Sequence, residues 1–158
     1  MARSGKVNAK ELEQFRKTLE NTLSGDQVDI FIDACAKELA ARLLAKVIKR
    51  TPTRNPENCP PGIKGGTLKR GWTAGKNQAA HEYAKSLKVN HFGDAYVIEI
   101  INPVEYASYV EFGHRTSNHK GWVNGRFMLT ISEQEIQSAA PAILERKLQK
   151  YLKESIGR

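Results

Sequence analysis

The sequence predicts an α+β fold: two N-terminal helices, a small antiparallel sheet of three to four strands, a projecting arm and a C-terminal helix. Two observations predict the helices and one the sheet. Val28, Ile32, Cys35, Leu39, Leu43 and Val47 recur at 3–4 spacing over five turns, the period of a helix with one buried face. A second stripe of that period, Ile136, Ala140, Ile143, Leu144, Leu148, Tyr151 and Leu152, closes the chain. Between them lie short β-prone runs around a Phe92-Gly93-Asp94 turn, as in an antiparallel hairpin.

Taken in order, Leu12, Phe15, Leu19 and Leu23 give an apolar face to a helix over residues 9–23, ended at Ser24-Gly25 with Gly25 in a left-handed cap. Asp26 is the expected N-cap of the long second helix, and Asp29 sits in its first turn near the positive dipole end. Lys46, Lys49 and Arg50 crowd its C-terminus, and Thr51-Pro52 stops it. Residues 51–66 hold four prolines and three glycines and read as a loop, of a length usual for functional or disordered segments. Thr67 is expected to cap a helical turn leading into a strand around Trp72, followed by strands over 83–90 and 95–102. Ser132 and Glu135 have the spacing of a capping box, flanked by Ile131 and Ile136 as a hydrophobic staple. Pro141 is expected to kink the last helix or mark a joint in it.

The chain is organised around Val104 to Gly113, which contains Tyr106, Tyr109 and Phe112, two valines and two carboxylates. This segment reads as a packed anchor, with the three aromatics in packing roles. The arm that follows, residues 113–126, is polar and contains an Asn124-Gly125 turn signature. It has too little apolar surface to offset its own ordering, so it is expected to be mobile in an isolated subunit. Apolar character returns at Phe127-Met128-Leu129. An arm tethered at both ends suits gripping a neighbour better than shaping a pocket.

Composition sets the outer bounds. At 158 residues one domain is expected over 1–158, with a helical part at 8–50, a basic Pro/Gly loop at 51–66, a sheet at 67–112, the arm at 113–126 and the C-terminal helix at 127–156. Such a chain buries about 70% of its unfolded surface. No apolar run reaches the ~18 residues of a membrane span, and the N-terminus lacks the apolar stretch of a signal peptide. Cys35 and Cys59 read as free thiols in a reducing cytosol and offer no zinc spacing.

The net charge of +8 is concentrated. Between Arg42 and Lys76 there are nine Lys or Arg against one acid, Glu57, and the rest of the chain carries sixteen of each sign. A solvated face and a phosphate-binding surface both fit this asymmetry. The DNA-facing candidates are Arg54, Lys64, Lys69, Arg70 and Lys76.

No catalytic constellation emerges, and no catalytic, cofactor-binding or metal-binding residue is assigned. His114, Asn118 and His119 match no metal-ligand spacing, and surface histidines on an arm are the plainer reading. Ser108 has no His–acid partner in reach by sequence. Gly62 to Thr67 has the glycines of a phosphate loop without its Lys-Ser/Thr ending. Trp72 reads as core and Trp122 as an interface residue. The assembly-interface candidates are His114, Arg115, Trp122, Arg126 and Phe127.

One order of features stands out: a Lys/Arg-rich helix ending at Thr51-Pro52, then Gly66-Thr67-Leu68-Lys69-Arg70-Gly71-Trp72, two strands, Tyr106-Ala107-Ser108-Tyr109-Val110-Glu111-Phe112-Gly113, an arm, and Arg126-Phe127-Met128-Leu129. Over residues 8–156 it resembles the siphophage neck family, small head–tail connection or tail-completion proteins described as minor tail components and grouped with the Z protein of phage lambda. The sequence departs from that family in lacking a proline between Arg126 and Phe127, and in carrying Trp122. The resemblance implies a structural role without enzymatic activity. Copies would form a ring homo-oligomer at the head–tail joint, touching other neck and tail proteins, with phage DNA passing through or beside it and no membrane partner. Its place would be the virion, after assembly in the host cytoplasm, and its last helix would start near Phe127. A nucleic-acid-binding monomer or dimer is the alternative, and a metal-dependent nuclease the third reading.

Overall fold

The computed structural model of the chain describes residues 4–6, 13, 17, 25–55, 57 and 59–156. The helix expected over 9–23 lies outside the described residues except at Glu13 and Lys17, both helical. The described elements are β1 (Ser4–Lys6), α1 (Gly25–Arg50), α2 (Thr67–Gly71), α3 (Ala80–Ser86), β2 (Asn90–Phe92), β3 (Ala95–Val97), β4 (Glu99–Ile101), α4 (Ala107–Phe112), β5 (Gly113–Arg115), β6 (Trp122–Asn124) and α5 (Met128–Ile156). The fold is mixed α+β, with two long helices, α1 and α5, and short antiparallel ladders.

Helix α1 is the centre of the core. All six stripe residues are buried, and Phe31, Ala36, Ala40 and Leu44 widen the stripe so that α3, β3 and α5 all pack on it. From α5 come Met128, Leu129, Ile136, Ile143 and Leu144; from β3 and β4 come Tyr96 and Ile100, with Ile98 from the junction between them. Trp72 is 2% exposed and donates its indole N–H to Thr51 Oγ1 at 2.8 Å. Thr51 thus serves twice: its own hydroxyl donates to the Val47 carbonyl at the end of α1.

Several sequence expectations are corrected. Gly25 is the first helical residue of α1, with no left-handed cap there. The helical turn at Thr67 is preceded by left-handed Gly66 (φ 93°), makes no side-chain cap bond, and leads into a turn rather than a strand at Trp72. Residues 80–86 are helix α3, not strand, because Tyr83, Ala84 and Leu87 meet α1 at helical spacing. The single sheet divides, among the described residues, into three two-stranded antiparallel ladders: β1 with β4, β2 with β3 and β5 with β6. The hairpin turn at Gly93-Asp94 stands as expected, Phe92 pairing with Ala95. Val104–Gly113, assigned to the sheet region, contains helix α4.

The last helix starts at Met128, as the family resemblance implied, and the capping-box reading fails. Ser132 is fully buried inside α5, donates to the Met128 carbonyl, and accepts from Arg50 Nη1 at 2.8 Å. Glu135 pairs with Lys46 at 2.8 Å and Arg50 at 2.6 Å. The two capping-box residues therefore face α1 and clamp the helices together. Pro141 lies inside α5, which runs on to Ile156.

Candidate functional site

Two surfaces carry the candidate residues. The first is built around α4 and the arm. Helix α4 turns Ala107, Val110 and Glu111 inward at i, i+3 and i+4 and leaves Tyr106, Tyr109 and Phe112 outside. These three aromatics are 44%, 58% and 48% exposed, so the expectation that they pack is wrong. The inward positions hold a small residue and a carboxylate, and that is the signal sequence reasoning missed.

Glu111 is 2% exposed and holds the site together. Its carboxylate accepts the backbone N–H groups of Leu129 and Thr130, each at 2.9 Å, and the Thr130 hydroxyl at 2.7 Å. These are donors of the first turn of α5, which no carbonyl within the helix can satisfy. A negative charge also suits that helix end. The Glu111 carbonyl accepts Phe127 N–H at 3.0 Å, and the neighbouring Val110 carbonyl accepts Arg126 N–H at 2.7 Å. The space where Trp72, Asn102, Ala107, Glu111, Met128 and Leu129 meet measures about 10 Å³, too little for any ligand.

In the single chain the arm folds as a hairpin. Strands β5 and β6 pair His114 with Val123 and Arg115 with Trp122. At the tip Asn118 Oδ1 accepts from Thr116 Oγ1 and from Lys120 N–H, while Thr116 N–H reaches the Gly121 carbonyl. These local bonds replace the apolar burial the arm lacks. Gly113 (φ 86°) is required at its root: a side chain there would collide with the Val123 carbonyl and meet the Trp122 indole nitrogen at 2.9 Å.

The interface candidates are thereby gathered. Trp122 is 58% exposed and lies against Gly113; the His114 ring lies tilted beside Tyr109 with centroids 5.7 Å apart; Phe127 meets Phe112 edge-on at 6.5 Å. Phe127 has φ 48°, a left-handed conformation uncommon for a large side chain, and is held 42% exposed. Arg115 and Arg126 flank this aromatic surface and are exposed. Asn118 and His119 serve the turn at the tip, His119 with φ 56°. Among the described residues no group of three His, Cys, Asp or Glu is placed to hold a metal ion.

The second surface is the basic segment, which the structure divides. Arg42 pairs with Glu38, and Lys46 and Arg50 pair with Glu135, so these three cations of α1 are already matched. Arg54, Lys64 and Lys76 are exposed and Lys69 is half-buried. Arg70 donates to the Gly65 carbonyl at 3.1 Å and so works partly as a brace of the loop. Cys59 is a free thiol in this loop; the other, Cys35, is buried in α1, and burial pushes its pKa up to about 12.

Residues 13–113 match the profile of a family described as "Bacteriophage HK97-gp10, putative tail-component". The chain belongs to this HK97-gp10-like family of phage tail components. The resemblance to siphophage head–tail connection and tail-completion proteins therefore holds. The match runs from Glu13 through α1 and α4 to Gly113, where the hairpin begins. In this HK97-gp10-like chain the hairpin and α5 lie beyond the matched span, yet Glu111, inside it, fixes where both begin. No curated protein and no solved structure matches the chain. No helix among the described residues is long and apolar enough to cross a membrane.

Proposed function

We propose that this tail component is a structural part of the head–tail joint, a neck or tail-completion protein whose copies assemble as a ring around the DNA path. The grouping with the lambda Z protein belongs to the same reading. Its partners are further copies of itself, other neck and tail proteins and, without sequence preference, phage DNA. Its place is the virion, reached through assembly in the host cytoplasm, and the role needs no chemistry. The 158-residue chain serves this role as one domain.

One observation carries the reading: the aromatic surface of Tyr106, Tyr109, Phe112, Trp122 and Phe127. Five rings exposed by two-fifths to three-fifths present on the order of 500 Å² of apolar area, since such side chains span about 150–250 Å² each. Patches of that size on a monomer are commonly contact sites, and one partner of a standard interface contributes about 800 Å². Trp122, His114, Arg115, Arg126 and Phe127 are its binding residues, with Tyr109 and Phe112 added by their exposure.

Sedimentation over a concentration series, with negative-stain imaging of the purified protein, tests the reading. Closed rings, or oligomers growing with concentration, support it. A chain that stays monomeric at all concentrations and does not bind tail or neck partners overturns it.

A further inference from the structure

The charge of the 42–76 segment is not one surface. Three of its cations are taken up by Glu38 and Glu135 within the helical clamp. The others, Lys49 apart, fall within one loop-and-turn unit between residues 51 and 76. Gly65 lies against the Arg54 backbone, where a Cβ would sit 2.9 Å from the Arg54 carbonyl oxygen, so the loop returns on itself and brings Arg54 beside Lys64. The Arg70 guanidinium ties this stem to α2 through the Gly65 carbonyl. After α2 the chain turns tightly: Thr73 and Gly75 N–H both reach the Arg70 carbonyl, and Lys76 N–H reaches the Thr73 carbonyl. Lys76 is thus returned to the end of the helix that carries Lys69. Among the described residues no carboxylate pairs with Arg54, Lys64, Lys69 or Lys76.

We propose that Arg54, Lys64, Lys69 and Lys76 form a face that tracks the phosphates of double-stranded DNA. The proposal rests on the reading that DNA runs beside the assembled protein. Charge complementarity names the ligand class, because four cations on one loop-and-turn unit, none paired with a carboxylate among the described residues, suit a polyanion. The aromatic content of the segment names the form of nucleic acid. Single-strand binding relies on bases stacking on exposed rings. The one aromatic residue between 51 and 76 is Trp72, which is 2% exposed and bonded to Thr51. The face therefore has cations for a backbone and no ring for a base. Arg70 is a positioning residue that holds the loop closed.

The test compares two variants of equal charge by fluorescence anisotropy with a short labelled duplex across a salt series. One carries Arg54→Gln, Lys64→Gln, Lys69→Gln and Lys76→Gln. The other changes four exposed cations elsewhere: Lys88→Gln, Arg146→Gln, Lys150→Gln and Lys153→Gln. For the first, the slope of log affinity against log salt should become shallower by about 3 to 4, since each phosphate contact contributes about 0.9. The second should change the slope by less than about 1. Equal effects of the two variants overturn the proposal, because binding would then follow net charge alone. Tighter binding of a single strand, with quenched tryptophan fluorescence, also overturns it. Sedimentation of both variants separates this proposal from the ring reading. Loss of duplex binding with self-association kept supports the phosphate face; loss of both together marks a copy–copy contact instead and overturns it. A wild-type chain that never self-associates refutes the ring, while the duplex comparison still decides the face.

Discussion

The carboxylate of Glu111 accepts the backbone N–H of Leu129 at 2.9 Å, eighteen residues further along the chain. One side chain therefore begins the last helix, while its own backbone carbonyl holds Phe127 at the root of the hairpin. Replacing Glu111 by Ala leaves the buried Leu129 donor and the half-buried Thr130 donors without their acceptor. The expected cost is about 2–3 kcal/mol, combining a lost cap with unmet donors. Chemical denaturation measures it. Glu111→Gln, which keeps one acceptor oxygen, should fall between Ala and wild type.

The two tryptophans should separate cleanly. Trp72→Ala opens a cavity in the core and is expected to cost about 3–5 kcal/mol. Trp72→Phe should cost less, the remaining loss reporting the bond to Thr51. Trp122→Ala should leave the melting temperature within a degree or two, roughly the scale of a neutral surface change. Thermal melts of the three variants decide the point. A large drop for Trp122→Ala would place that ring in the fold rather than at a contact.

The aromatic surface makes a second prediction in the same currency. Tyr109→Ser with Phe112→Ser removes exposed rings while Ala107 and Glu111 keep their inward contacts. Stability should change by less than about 1 kcal/mol, and self-association or partner docking should weaken at least tenfold, as for central interface aromatics. Sedimentation beside denaturation reads both.

Acid should loosen the pairing of α1 with α5. Hydrogen bonds from Lys46 and Arg50 hold the exposed Glu135 carboxyl below its ordinary range. At Glu38 partial burial works to raise the pKa, but hydrogen bonds from Lys147 and Arg42 outweigh it and hold it low. A carboxyl with a depressed native pKa stays ionised when the unfolded chain already takes up a proton. Its contribution is therefore full above the ordinary glutamate value of about 4.3 and is lost as pH falls through the lower native value. Urea midpoints should hold steady from neutral pH down to about 5 and drop below it. Glu38→Gln with Glu135→Gln should flatten that drop.

Gly71→Ala should destabilise by about 1–3 kcal/mol, the usual range for overpacking. A Cβ there would collide with the side-chain oxygen of Asn102 and sit 2.9 Å from Val104 Cγ2. Asn102 cannot yield easily, being buried and bonded to the Leu68 carbonyl and to Val104 N–H. Chemical denaturation of the variant checks the figure.

The long apolar stripes were legible in the sequence because a period sustained over five turns has no competing reading. All six stripe residues expected in α1 are buried, and Phe31, Ala36, Ala40 and Leu44 join them. Shorter stretches failed where tertiary contacts decide. Residues 83–86 carry no local preference strong enough to reveal that Ala84 will lie against α1. Ser132 and Glu135 had the spacing of a local cap, yet cations from α1 claimed both. The true cap, Glu111, is invisible to any local rule because it arrives from another helix. The candidate site was read as an arm, and the structure places His114, Arg115 and Trp122 on its paired strands, with Arg126 and Phe127 directly after them. Its exposed aromatic flank was missed because Tyr106, Tyr109 and Phe112 look like core until the small and charged residues between them are seen to face inward.

The tip of the hairpin is closed by bonds among Thr116, Asn118, His119, Lys120 and Gly121, while its direction is fixed at the root by Val110 and Glu111. Shape at the end and aim at the base are thus governed separately. An epitope spliced in at Ser117 would ride at the outermost point without disturbing the core. In electron micrographs of assembled particles, an antibody against it would show which way each subunit points.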